Sequence, residues 1–283
     1  MQGLNLIPRS AVQTNNQHIK ALINGLVSSV QKVFGKRCTA VYLMGSLARG
    51  GFSELASDID IGLILNGELQ DNDSADIDDI QKALLKNHST VRNSVSIFWG
   101  NIASINGGVD AGRYPPFDRL DLIDHALLLA GSDIRDSLVK PGREELEIAS
   151  AGFALDYLAS DERIEEFLKC ELISNKGTVY VTKTILFPAR FIYLAKTGAT
   201  AGNEASHQYY LDNFSGHDSE LVSKAYQWRL SALPQELGTV TTLLNEGLIV
   251  LYQRFIDISA ERMAAYGQHD LQSRLIKWKQ RLT

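Results

Sequence analysis

Two carboxylates, Asp58 and Asp60, stand one residue apart in an otherwise apolar run, DIDIGLIL. Side chains alternate faces along a strand, so these two point the same way while Ile59 and Ile61 take the buried face. Paired carboxylates repel each other unless a cation or a proton sits between them. Hard oxygen ligands at this spacing suit magnesium, which binds through one or two carboxylates together with substrate phosphates. Upstream, Gly45-Ser46 closes another apolar run, 41–44. A glycine turn lets backbone N–H groups and a hydroxyl approach phosphate oxygens closely, and Arg49 adds a counter-charge. A phosphate cradle and a metal clamp joined by one short loop imply phosphoryl or nucleotidyl transfer.

The elements that must hold these residues are legible from periodicity. Ile19, Leu22, Ile23, Leu26, Val27, Val30, Val33 and Phe34 recur at helical spacing behind Asn and Gln, which predicts a helix over 15–34 that packs on a sheet. Gly35-Lys36-Arg37 breaks it, and the first strand begins near Thr39. The second strand carries both aspartates. After Asn66-Gly67 comes an acidic stretch, 68–79. Asp71, Asp73, Asp76, Asp78 and Asp79 lack the glycine and terminal glutamate of a calcium loop, so they read as the N-terminal turns of a helix, where carboxylates oppose the dipole. Residues 91–99, VRNSVSIFW, are the next strand, and 100–117 a glycine- and proline-rich loop in which Arg113 and Tyr114 are available for contacts.

Gly45-Ser46, eleven residues, then Asp58-Ile59-Asp60 between apolar flanks resembles the signature of the DNA polymerase β-like nucleotidyltransferases. Within them, GSLARGG followed by SDID looks most like the bacterial aminoglycoside adenylyltransferases. The resemblance implies an α+β fold, a mixed-sheet nucleotidyltransferase core followed by an all-α helical bundle. It implies transfer of AMP from Mg-ATP to an acceptor hydroxyl, with Asp58 and Asp60 catalytic and metal-ligating. Gly45, Ser46, Arg49 and Ser57 would bind nucleotide, joined from the helical domain by Arg190 and Tyr226, which match by position an arginine and a tyrosine that reach the nucleotide in such enzymes. An expected lysine is absent, with Asn203 in its place; Lys183, two turns before Arg190, is the substitute charge. The resemblance also calls for a third carboxylate on the strand at 91–99, where this chain offers Ser94 and Ser96. A serine neither ligates magnesium with charge nor takes a proton near neutral pH. Glu54 and Asp110 are the acids that could stand in. The competing expectation is a nucleotide-binding or antitoxin-like module with reduced or no transfer.

A chain of 283 residues, 45% hydrophobic, fits two ordinary domains. The expected division is 1–140 for the nucleotidyltransferase domain and 141–283 for a bundle whose helices fall at 143–159, 161–173, 178–197, 203–213, 217–231, 237–265 and 268–281. No apolar run spans a bilayer and the N-terminus lacks a signal-peptide core, so a cytoplasmic protein is expected. Cys38 and Cys170, far apart and without nearby histidine, read as small core residues. The net charge of −5 argues against a nucleic-acid partner. Residues 110–175 hold fifteen acids against seven bases, either solvated helix faces or a field that draws a cationic acceptor into a cleft between the domains.

Overall fold

A computed structural model describes residues 14–91, 93–107 and 111–283. The chain divides into two compact units between Pro141 and Gly142. The first holds two hydrophobic cores, one on each face of its sheet, and the second holds one.

The first unit opens on α1 (Gln17–Phe34). Asn16 caps it, its side-chain oxygen accepting the His18 and Ile19 N–H groups. The apolar residues expected at helical spacing are buried except Val33, which is 48% exposed. Strand β1 (Cys38–Met44) follows, then a single helical turn, α2 (Gly45–Arg49), then β2 (Ile59–Leu65). Helix α3 (Asp73–Asn87) crosses to β3 (Val95–Gly100). The short α4 (Ile102–Ile105), α5 (Pro116–His125) and β4 (Leu127–Gly131) complete the unit. The strand order is β3-β2-β1-β4. β1 is antiparallel to β2 and β4, and β2 is parallel to β3, as a helical crossover such as α3 requires. The mixed-sheet expectation is borne out.

Side-chain alternation divides the sheet between two cores. Val41, Leu43, Ile59, Ile61, Leu63 and Ile97 pack under α1 and α3. Ala40, Tyr42, Met44, Ile64 and Phe98 pack against Ile105 of α4 and Leu122 of α5. Asp60 belongs to this second face, at the end of the strand.

Several local expectations are corrected. Asp58 lies one residue before β2 rather than inside it, and Ser94 likewise precedes β3. Gly45-Ser46 begins a helical turn rather than a bare turn. The segment 100–117 is not one loop: Asn101 caps α4 with a reciprocal capping box, and Arg113 bridges back to Trp99. Asp73 does open a helix, as expected, but it is also fully buried, its carboxylate bound at 2.7 Å by both terminal nitrogens of Arg37. Burying the acid against a guanidinium fork satisfies it better than a helix dipole alone.

The second unit is all helical, α6 to α13: Arg143–Tyr157, Asp161–Leu168, Glu171–Ser174, Thr178–Thr197, Asn203–Asn213, His217–Ser231, Leu237–Ala265 and His269–Gln280. The helix expected over 161–173 is broken between α7 and α8, at Lys169 and Cys170. Pro188 lies inside α9 and cannot donate to the Thr184 carbonyl one turn back. The fully buried Tyr252 hydroxyl of α12 takes that acceptor at 2.8 Å. Cys38 and Cys170 are free and buried, and burial pushes both thiols up to about 11. No helix among the described residues is long and apolar enough to cross a membrane.

Candidate active site

The sheet register sets the site. Asp60 lies opposite Met44 on β1 and Ser96 on β3. Gly45, the residue after Met44, has φ +64°, and a Cβ built there would fall 2.1 Å from Asp60 Oδ2. Only glycine meets both conditions: the left-handed backbone, and a carboxylate seated against its Cα. The same face holds Gly62, where a Cβ would meet the Tyr114 hydroxyl at 2.4 Å. Tyr114 donates to Met44 Sδ at 3.1 Å, so the chain before α5 is tied to the C-terminal end of β1. Burial, with the charges of Asp118 and Asp121 and the nearby Tyr42, keeps that phenol protonated.

Asp58 is held from the neighbouring strand. The Ser94 hydroxyl donates to Asp58 Oδ1 at 2.5 Å, and the Ser94 carbonyl accepts the Ile59 N–H at 2.8 Å. The position next to the first aspartate is thus occupied by a neutral donor. Ser96, across from Asp60, is the other hydroxyl. Ser46 donates to Ser57 Oγ at 3.1 Å, and Ser57 Oγ also accepts the Ser53 N–H at 2.9 Å. Asn93 closes the loop by donating to the Ser57 carbonyl at 2.7 Å and the Glu54 carbonyl at 3.2 Å. Gly45, Ser46, Ser57, Asp58 and Asp60 are therefore brought together by β1, α2 and the entry to β2.

Arg49 has a different engagement from the one expected. Its guanidinium meets Asp121 Oδ1 of α5 at 2.5 Å, while Asp121 Oδ2 accepts the Gly45 N–H at 2.6 Å. Asp121 is 8% exposed, and sequence reasoning passed over it. The available signal was an acid between two leucines of a short helix, Leu120 and Leu122, both buried, since a buried carboxylate requires a cationic or N–H partner. The Gly45 amide is consequently committed to Asp121.

Glu54 is exposed and accepts from the Asn16 side chain at 3.1 Å, whereas Asp110 lies outside the described residues. Among the described residues, no group of three or more His, Cys, Asp or Glu side chains converges as a metal site. The donor set is the carboxylate pair. Two hard oxygen ligands at the entry to β2 fit a divalent ion that completes its shell with other oxygen ligands.

In the helical unit, Arg190 lies on α9 and Tyr226 on α11, two helices that pack together. Tyr226 stacks on His207 of α10, ring centroids 4.6 Å apart and planes at 15°. Lys183 shares α9 with Arg190, and Asn203 opens α10.

The fold is a mixed-sheet core followed by a helical bundle, and residues 24–96 match the family model of the nucleotidyltransferase domain. That span runs from α1 to the start of β3 and includes Gly45, Ser46, Asp58 and Asp60. Among solved structures, the fold is similar to that of spectinomycin adenyltransferase AAD(9) from Enterococcus faecialis, crystallised with ATP and spectinomycin. The TM-score is 0.58 over 83% of this chain and 98% of that one, at 13% identity. A sequence search of the curated proteins finds no match. The resemblance read from the glycine-serine pair and the two aspartates is borne out by both findings.

Proposed function

We propose that the protein is an adenylyltransferase, taking AMP from Mg-ATP and placing it on a hydroxyl of a small, cationic, aminoglycoside-like acceptor in the cytoplasm. The observation that carries this reading is the seating of Asp60 against Gly45, with Asp58 and Ser46 beside them. Two carboxylates and a hydroxyl thereby stand at one end of the sheet. The nucleotidyltransferase match and the fold shared with an adenyltransferase that binds ATP and spectinomycin support the nucleotide and the acceptor class. The net charge of −5 supports a small acceptor over a nucleic acid.

In this reading 1–140 is the transferase domain, and Arg190 and Tyr226 of 141–283 contribute to nucleotide binding. Asp58 and Asp60 hold a magnesium ion, which when bound supplies positive charge to the triphosphate. Ser46 donates to a phosphate oxygen by turning its hydroxyl hydrogen away from Ser57 Oγ. The acceptor oxygen forms its bond to the α phosphorus as the bond to pyrophosphate breaks. Ser94 offers no base, so the acceptor proton passes to water. The test is pyrophosphate release from Mg-ATP over a panel of aminocyclitols and aminoglycosides. Asp58→Ala and Asp60→Ala are expected to reduce release to background while remaining folded; release at the wild-type rate in either overturns the reading.

A second reading, a nucleotide-binding module with little or no transfer, draws on the Ser94 hydroxyl standing against Asp58 where the resemblance calls for an acid. Calorimetric binding of Mg-ATP without pyrophosphate release for every acceptor selects it.

A further inference from the structure

Asp121 is 76 residues from Gly45 in sequence, yet its carboxylate is the point at which α5 meets the phosphate turn. Each oxygen has one donor: Oδ2 takes the Gly45 N–H at 2.6 Å, Oδ1 takes Arg49 at 2.5 Å. Gly45 is buried, so without Asp121 its N–H loses its acceptor away from water, at a cost. The Gly45 peptide also decides where Asp60 rests, because that carboxylate lies against the glycine Cα. A rotation of this peptide displaces Asp60 and Ser46 together. Arg49, for its part, is a cation one helical turn from Ser46 whose partner is this carboxylate.

We propose that Asp121 is a positioning residue. It fixes the Gly45 peptide so that Ser46 and Asp60 address the same phosphate, and it retains Arg49 as its own counter-ion, away from the triphosphate. The proposal rests on the adenylyltransferase reading for its kinetic consequence, though not for the bond itself.

The experiment compares wild type with Asp121→Ala, Asp121→Asn and the double variant Asp121→Ala/Arg49→Met, measuring kcat and KM for Mg-ATP by pyrophosphate release. Misplacement of reacting groups by about an ångström costs about 100-fold in rate, and Asp121→Ala is expected to lose kcat on that scale. KM holds or falls, because the released Arg49 becomes available to the triphosphate. Asp121→Asn, which keeps one acceptor oxygen, retains more kcat than Asp121→Ala and carries the same test should the alanine variant fail to fold. The double variant loses any fall in KM without recovering kcat. Wild-type kcat in Asp121→Ala, or a raised KM with kcat intact, overturns the proposal. Should the wild type release no pyrophosphate with any acceptor, the adenylyltransferase reading fails, and Asp121 is judged on hydrogen exchange of the Gly45 amide. Protection present in the wild type and lost in Asp121→Ala sustains the bond; equal protection in both overturns it.

Discussion

At the scale of single residues, the site is an arrangement of negative charge held in place by neutral donors. Ser94 lets Asp58 remain next to Asp60 by donating one hydrogen bond and adding no charge. Replacing it with an acid reverses that balance. Ser94→Asp sets a third carboxylate beside the first two, so the variant is expected to melt several degrees below wild type without divalent ions. Magnesium is expected to recover more of that loss than it adds to the wild type. Thermal unfolding with and without magnesium decides it, and a loss indifferent to magnesium places residue 94 outside the ion's reach. Gly45, Ser46, Asp58 and Asp60 could be picked out of the sequence because their pattern is local: two acids a residue apart at the entry to a strand and a glycine at its neighbour's end. Asp121 and Asn93 could not, because their roles are tertiary. Each binds backbone groups that come within reach only once α5 or β3 has packed.

The elements repeat this division. The strongly periodic helices lie within a few residues of their expected places, because a long apolar stripe specifies both phase and extent. The short pieces α2 and α4 were missed, being stabilised by a cap and a carboxylate rather than by periodicity. Pro188 in α9 shows how an element tolerates a residue that opposes it. The Thr184 carbonyl freed by proline accepts from Tyr252 instead, so α9 and α12 share a buried bond. Tyr252→Phe leaves that carbonyl unpaired and is expected to cost about 1–3 kcal/mol, read as a lower urea midpoint with an unchanged slope. A variant as stable as wild type shows that water or a neighbouring N–H takes the acceptor.

Over the whole molecule, the acidic middle of the chain proves partly internal. Asp121, Glu147 and Glu166 are buried and meet Arg49, Arg143 with Arg262, and Arg163 with Lys176 respectively. Burial alone would push Glu166 up; the Lys176 and Tyr180 hydrogen bonds and the Arg163 charge outweigh it and hold it below its ordinary value of 4.5. Arg37 likewise holds Asp73 below 3.8, and Arg135 draws Asp133 down to about 2. Acids with depressed folded-state values stabilise fully above the ordinary carboxylate range and cease to do so as pH falls through the folded values. Stability is therefore expected to be level down to about pH 5 and to decline from there toward about pH 2. Glu166→Gln is expected to start about 3 kcal/mol lower, by analogy with broken buried pairs, and to decline less steeply, as urea midpoints across that range will record. Identical slopes remove Glu166 from the account. A sheet with an edge strand such as β3 also invites unwanted partners. On β3 the carbonyls that face outward are all occupied: Gln81 donates to Val95 at 2.6 Å, the Arg113 side chain to Ile97 at 3.2 Å, and the Arg113 N–H to Trp99 at 2.7 Å. A second molecule that pairs there by its main chain must first displace these donors, so concentrated solutions should resist fibril growth from that flank.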